Sequence, residues 1–161
     1  MNARLQNTPV SDTDRIERSL VVEAPRDRVW RALATAEEFG TWFGIDLKGQ
    51  RFAPGNRVNG LMSGCGHVNV RFDAVIDRME APSHFSYRWH PSPIDPAVDY
   101  EKEAPTLVTF TLEDAPGNRT RVTVVESGFD QVPAHRRQEA FRMNNQGWDH
   151  QMGNLARHVA A

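Results

Sequence analysis

The sequence predicts an α+β fold: strands pair antiparallel, two short helices follow the first strand, and one long helix closes the chain. Three observations predict it. First, Phe141, Asn145, Trp148, Met152, Leu155 and Val159 are spaced 4, 3, 4, 3 and 4 residues apart, which sets them on one stripe of an α-helix. Second, apolar residues alternate with polar ones over Val68–Ile76, Phe85–Trp89, Val108–Leu112 and Val122–Val124, the period of half-buried strands. Third, Ala53-Pro54-Gly55-Asn56 and Ala115-Pro116-Gly117-Asn118 are turn signals between such runs. A long amphipathic helix at the end of a chain of strands needs a concave sheet to lie on, and that arrangement often encloses a cavity.

The elements follow in order. Ile16, Arg18, Leu20, Val22 and Ala24 alternate with Glu17, Ser19, Val21 and Glu23, a first strand. Pro25 suits the first turn of a helix, with Val29, Trp30 and Leu33 inward. A second short helix covers Ala36–Trp42 and stops near Gly44. Ile45–Met62 reads as two short strands around the 53–56 turn. A strand with Val68, Val70, Phe72, Ala74 and Ile76 on one face follows, then one with Phe85, Tyr87 and Trp89. Pro91–Pro105, with four prolines and Asp95, Asp99, Glu101 and Glu103, reads as a long loop and a mobile lid. Two more strands precede Glu126-Ser127-Gly128-Phe129-Asp130, and the final helix starts near Pro133. The run holds five or six strands.

Length and composition set limits. The 161 residues suit one domain over 14–161, after a polar, disordered lead of 1–13. A net charge of −2 with mixed signs gives no pull toward nucleic acid or anionic lipid, and no basic stripe is interleaved with aromatics. No apolar run is long enough to span a membrane, and the N-terminus lacks a signal pattern, so a cytoplasmic location is expected. The single cysteine, Cys65, excludes an internal disulfide. The six histidines show no close ligand spacing, so no metal and no cofactor are expected.

Seven phrases in order carry a family resemblance: VVEAPRDRVW (Val21–Trp30), FGTWF (Phe39–Phe43), FAPGNRV (Phe52–Val58), FSYRW (Phe85–Trp89), Thr106–Leu112, TRVTVVESGF (Thr120–Phe129) and GWDHQMGNLARHV (Gly147–Val159). With them the chain resembles the START-like helix-grip (SRPBCC) superfamily, in the branch of the activator of the ninety-kilodalton heat-shock-protein ATPase. The resemblance implies a curved antiparallel sheet gripping the C-terminal helix, with a pocket between them. Superfamily members include lipid carriers, hormone receptors and aromatase/cyclases, so the fold alone does not select a function.

Candidate ligand-binding residues are the aromatic and apolar side chains of the inner faces: Trp42, Phe43, Phe72, Tyr87, Trp89, Phe110, Trp148 and Met152. Aromatic walls give large contact area, but each also suits ordinary core packing. Asn145 is the polar break in the helical stripe. A buried amide left unpaired costs about 1–3 kcal/mol, so it needs a ligand, the sheet backbone or water. Arg71 and Arg88 lie opposite apolar residues and suit a solvent face, although an inward Arg71 would anchor a ligand carboxylate. Glu126 continues the face of Val122 and Val124. It is either a general base at the pocket rim or a strand-end cap or ion pair. Cys65 and His67 sit in a glycine-rich turn without a third orienting group, which weighs against a nucleophile.

These features favour a carrier or sensor of a small hydrophobic or aromatic molecule. The competing readings are a cyclase- or hydratase-like enzyme using the same cavity with unknown catalytic residues, and a surface-acting co-chaperone with a chaperone partner. A homodimer through a sheet edge or the final helix is open; nothing in the sequence selects it.

Overall fold

A computed structural model describes residues 13–62 and 71–161 of the chain. Strand β1 (Arg15–Val22) leads into α1 (Arg26–Ala34) and α2 (Ala36–Phe43). Then come β2 (Arg57–Leu61), β3 (Arg71–Glu80), β4 (His84–Trp89), β5 (Thr106–Ala115), β6 (Arg119–Ser127) and α3 (Ala134–Ala160). The six strands form one curved sheet in the order β1-β6-β5-β4-β3-β2, every neighbour antiparallel. The expected α+β architecture, with two short helices after the first strand, is therefore present. Helix α3 has 27 residues, about 40 Å at the α-helical rise, and packs along the inner face against β1 and both short helices.

Local chemistry explains the element ends. Pro25 caps α1; its missing N–H falls where the helix has no use for one. Gly44 ends α2 with φ 94, a left-handed conformation that costs glycine little. Gly117 and Asn118 turn β5 into β6 with φ 81 and 60. One expectation fails: only one strand forms within 45–62. The 53–56 turn pairs sideways with β3, Gly55 N–H donating to Ile76 O and Ile76 N–H to Asn56 O. The segment before the turn is irregular apart from an Ile45–Met62 bridge, and it buries Leu47 and Phe52. It also crosses Gly60 so closely that a Cβ there would lie 2.1 Å from Asp46 O.

The alternations fall as read where they are described. Phe72, Ala74, Ile76, Phe85, Tyr87, Val108, Phe110, Leu112, Val122 and Val124 are all buried. Val68, Val70, Cys65 and His67 lie outside the described residues. So does the expected lead except Thr13, whose hydroxyl donates to Asp130 Oδ1 at 3.0 Å. Beside it, Asp14 O accepts the Gly128 and Phe129 N–H groups, so Thr13 and Asp14 are held to the segment after β6.

Helix α2 inserts Phe39 into the hollow of the sheet. Its ring lies 4.9–6.2 Å from those of Trp42, Phe43, Phe52, Phe72, Phe85 and Tyr87, mostly edge-to-face, which suits the ring quadrupoles. This plug fills the middle of the sheet–helix interface. A cavity is left toward one end of the sheet.

The loop between β4 and β5 roofs that end, stitched to α3 by Arg136 and by Ser92 Oγ, which donates to Met143 Sδ at 3.2 Å. Arg136 donates to Glu103 Oε1 through Nε and Nη2 at 2.9 and 2.6 Å, and to Pro91 O at 2.9 Å. Its guanidinium sits 4.7 Å from the Tyr100 ring centroid. Tyr100 Oη in turn accepts the Asp95 N–H at 3.0 Å. Arg136 and Glu103 side chains are only 14% and 10% exposed, so water screens the pair weakly. Arg136→Ala should raise hydrogen exchange of the Val98, Lys102 and Glu103 amides by about tenfold or more, since it removes roughly 1.5–3 kcal/mol of charged hydrogen bonding. Exchange in the second half of α3 should not change; unchanged exchange in the loop would contradict the stitch.

Candidate functional site

The site is organised by Glu126, which has no exposed surface. Strand β6 presents Val122, Val124 and Glu126 inward in turn, so a carboxylate ends an otherwise apolar row. Four donors from three elements converge on it. Trp89 Nε1 (β4) and Thr106 Oγ1 (β5) donate to Oε2 at 2.7 and 2.6 Å. Trp148 Nε1 (α3) donates to Oε1 at 2.8 Å. Asn144 Nδ2 (α3) spans both oxygens at 2.9 and 3.2 Å. No cation pairs with Glu126 among the described residues.

Burial raises the Glu126 carboxyl above its ordinary value, and the bonds from Thr106, Trp148, Trp89 and Asn144 pull it down only in part. Each donor bond to a charged group contributes about 1.5–3 kcal/mol, against a desolvation cost of several kcal/mol for a buried ion. Tyr87 lies two strands away on the same face, in the row Tyr87–Val108–Glu126. Its hydroxyl is buried without a partner among the described residues. Burial, and then the Glu126 charge, hold its pKa well above the ordinary value.

In front of this network is a cavity of about 730 Å³. Its inner wall is Trp42, Phe43, Trp89 and Trp148; α3 adds Met143, Asn144, Gln151 and Asn154. The sheet side supplies Met62, Arg71 and Asp73, and the loop supplies Ser92 through Tyr100 in part. Trp89 and Trp148 rings lie 6.0 Å apart, each about 6 Å from Phe43. Both indole N–H groups are spent on Glu126, so only carbon surface of the two rings meets the cavity. Across the mouth, Arg57 bridges Asp73 and Glu101 at 2.7 and 2.9 Å.

The structure sorts the sequence candidates. Trp42, Phe43, Trp89 and Trp148 line the cavity, and Arg71 stands at its rim, donating to Asn59 Oδ1 at 2.8 Å. Phe72, Tyr87, Phe110 and Met152 do not line it; they are buried in the core around the Phe39 plug. Asn145 does not line it either. Its Oδ1 accepts from Arg18 Nη2 at 2.6 Å, holding α3 to β1. Its neighbour Asn144 takes the place expected of it. Glu126 is neither a rim base nor an ion-paired cap: Trp89, Trp148 and Asn144 stand between it and the cavity. Arg88 is exposed beside Asp77 as expected. Among the described residues no group of three or more His, Cys, Asp or Glu could hold a metal ion, and no helix is long and apolar enough to cross a membrane.

A helix-grip sheet with a cavity beside the middle of its long helix defines a class of fold, and comparison assigns the family. The chain belongs to the family described as "Activator of Hsp90 ATPase homolog 1-like protein", whose profile matches residues 23–160. No curated protein matches it. Among solved structures, MLL2253 of Mesorhizobium loti is 22% identical with a TM-score of 0.69, covering 91% of this chain and 96% of its own. The Aha1 dimer of Colwellia psychrerythraea is 15% identical with a TM-score of 0.64, covering 88% and 92%. CalU16 of Micromonospora echinospora is 21% identical with a TM-score of 0.60, covering 91% and 76%. At these identities the likeness establishes the fold alone.

The buried carboxylate makes a signed prediction. Its folded pKa lies above the ordinary 4.5, so between the two values the folded protein holds more protons than the unfolded chain. Its contribution to stability therefore falls as pH rises through that window and is lowest above it. Glu126→Gln cannot ionise, so the wild-type minus Gln stability difference, from urea unfolding, should fall as pH rises from about 4.5. Glu126→Leu strips four donors of their acceptor, at about 1–3 kcal/mol for each that stays buried and unpaired, and should be clearly destabilising near neutral pH. A difference flat with pH and a near-neutral Leu variant would contradict the assignment.

Proposed function

We propose that this protein encloses a small apolar or aromatic molecule in the cavity beneath the 91–105 loop, as a carrier or sensor. The observation that carries the reading is the cavity itself. Its volume lies within the roughly 300–1,000 Å³ usual for ligand sites, and its inner wall is the carbon surface of Phe43, Trp89 and Trp148. Membership in a helix-grip family, a fold whose members often bind hydrophobic ligands, supports it. The enzyme reading loses its best base, because Glu126 is sealed behind three side chains. The co-chaperone reading wants an exposed apolar patch. Among the described residues the exposed large apolar side chains are Leu61 and Val75, which sit opposite Arg71 and Arg57 at the two ends of β2.

The reading takes the protein as cytoplasmic and does not require a dimer. Native mass spectrometry of protein purified from its own host tests it. The expected result is a small molecule retained in stoichiometric amount and lost in Trp148→Ala. A clean unliganded mass, unchanged by a panel of apolar compounds, would overturn the reading and direct attention to protein partners.

A further inference from the structure

The cavity wall holds one polar group whose orientation is dictated rather than free. Asn144 lines the cavity, and its Nδ2 donates to both oxygens of Glu126. A carboxylate accepts hydrogen bonds and offers none. The shell suits that demand, since both indole groups around it are donors only. The observed geometry turns Asn144 Nδ2 to both oxygens, and against the ionised carboxylate the carboxamide cannot turn its oxygen there instead. Asn144 Oδ1 receives no donor from any described residue. It is not enclosed either, because Tyr87 Oη is the one buried side-chain polar atom without a partner among those residues. Oδ1 is thus an open acceptor at the wall of an aromatic cavity, fixed from behind.

Two other amides of the same helix at the cavity are already spent, and Gln146, exposed at its edge, is held in place by no described residue. Gln151 donates to Phe43 O and accepts from Asn154, and Asn154 accepts from Arg157. The anion also strengthens the acceptor: an amide that donates to a negative group carries more electron density on its oxygen.

We infer that Asn144 Oδ1 is the specificity determinant of the cavity, selecting planar aromatic molecules that carry a hydroxyl or N–H donor, with Glu126 as its positioning residue. The inference rests on the proposed binding function and adds the class of ligand. An aromatic body lies against Phe43, Trp89 and Trp148, and its donor reaches Oδ1. A molecule of the same shape without a donor leaves Oδ1 desolvated and unpaired, which a polar site penalises more than a purely apolar one does.

The test uses two matched probes, 2-naphthol and 2-methoxynaphthalene, titrated calorimetrically into the full-length protein. The methoxy compound is the more apolar, so a cavity without a polar reader binds it at least as well. Wild type should prefer 2-naphthol by roughly tenfold, the worth of one good hydrogen bond. Asn144→Leu should lose that preference while still binding 2-methoxynaphthalene. Glu126→Gln, whose side-chain amide both donates and accepts, frees Asn144 to turn over and should shrink the preference in protein whose circular dichroism is unchanged. Equal binding of the two probes by wild type, or a preference that survives in Asn144→Leu, would overturn the inference and leave the cavity reading standing. If wild type binds neither probe, the cavity reading fails and the inference falls with it. The wild-type comparison needs no variant to fold.

Discussion

A single buried carboxylate ties this structure together. Glu126 receives donors from β4, β5 and α3, so it joins the middle of the sheet to the long helix at the level of the cavity. Apolar packing alone would let α3 slide or roll on the sheet, because dispersion contacts carry little directional preference. Four directed bonds to one anion set the register of α3 against β6. They also turn both indole N–H edges away from the cavity, so the inner wall that Trp89 and Trp148 form is carbon, with the Asn144 amide oxygen beside it. The cost is burial of a carboxyl with no cation beside it among the described residues, and burial raises its pKa.

The second constraint is volume. Phe39, delivered by α2, occupies the hollow that an open sheet–helix sandwich would leave for a ligand. The rings of Phe72, Phe85 and Tyr87 close on it, and the space that remains lies beyond Phe43, under the loop that Arg136 stitches to α3. Thus the two short helices do more than cover the sheet: they decide where along α3 the cavity falls.

Much of this was legible from sequence. The α3 stripe and the alternations of β3 to β6 follow from period alone, and Gly44 and the 115–118 turn mark their own ends. The cavity residues were only half legible. Phe43 and Phe72 are both inward aromatics, and only the plug, formed by a helix far from β3 in sequence, decides which one meets open space. Asn145 and Asn144 are adjacent on one helix, three and four residues before Trp148. Periodicity admits both, and a 3.5-residue stripe drifts on a 3.6-residue helix. What separates them is the height of Glu126 on the sheet, a long-range fact. The alternation did turn Glu126 inward; its fourfold donor shell could not be read, because its members lie on three separate segments. The same holds for Arg136, whose partners are 33 to 45 residues away.

The most direct measurement of the central claim is the indole N–H region of a nitrogen–proton correlation spectrum, recorded across pH for wild type and Glu126→Gln. Trp89 and Trp148 donate to Glu126, whereas Trp42 donates to Ala32 O at 2.8 Å. The account predicts that the Trp89 and Trp148 indole protons resonate downfield and titrate together with one midpoint above 4.5, and that both the shift and the titration vanish in Glu126→Gln while Trp42 stays fixed. Indole protons of Trp89 and Trp148 that sit at free positions, or that titrate independently of each other, would contradict it.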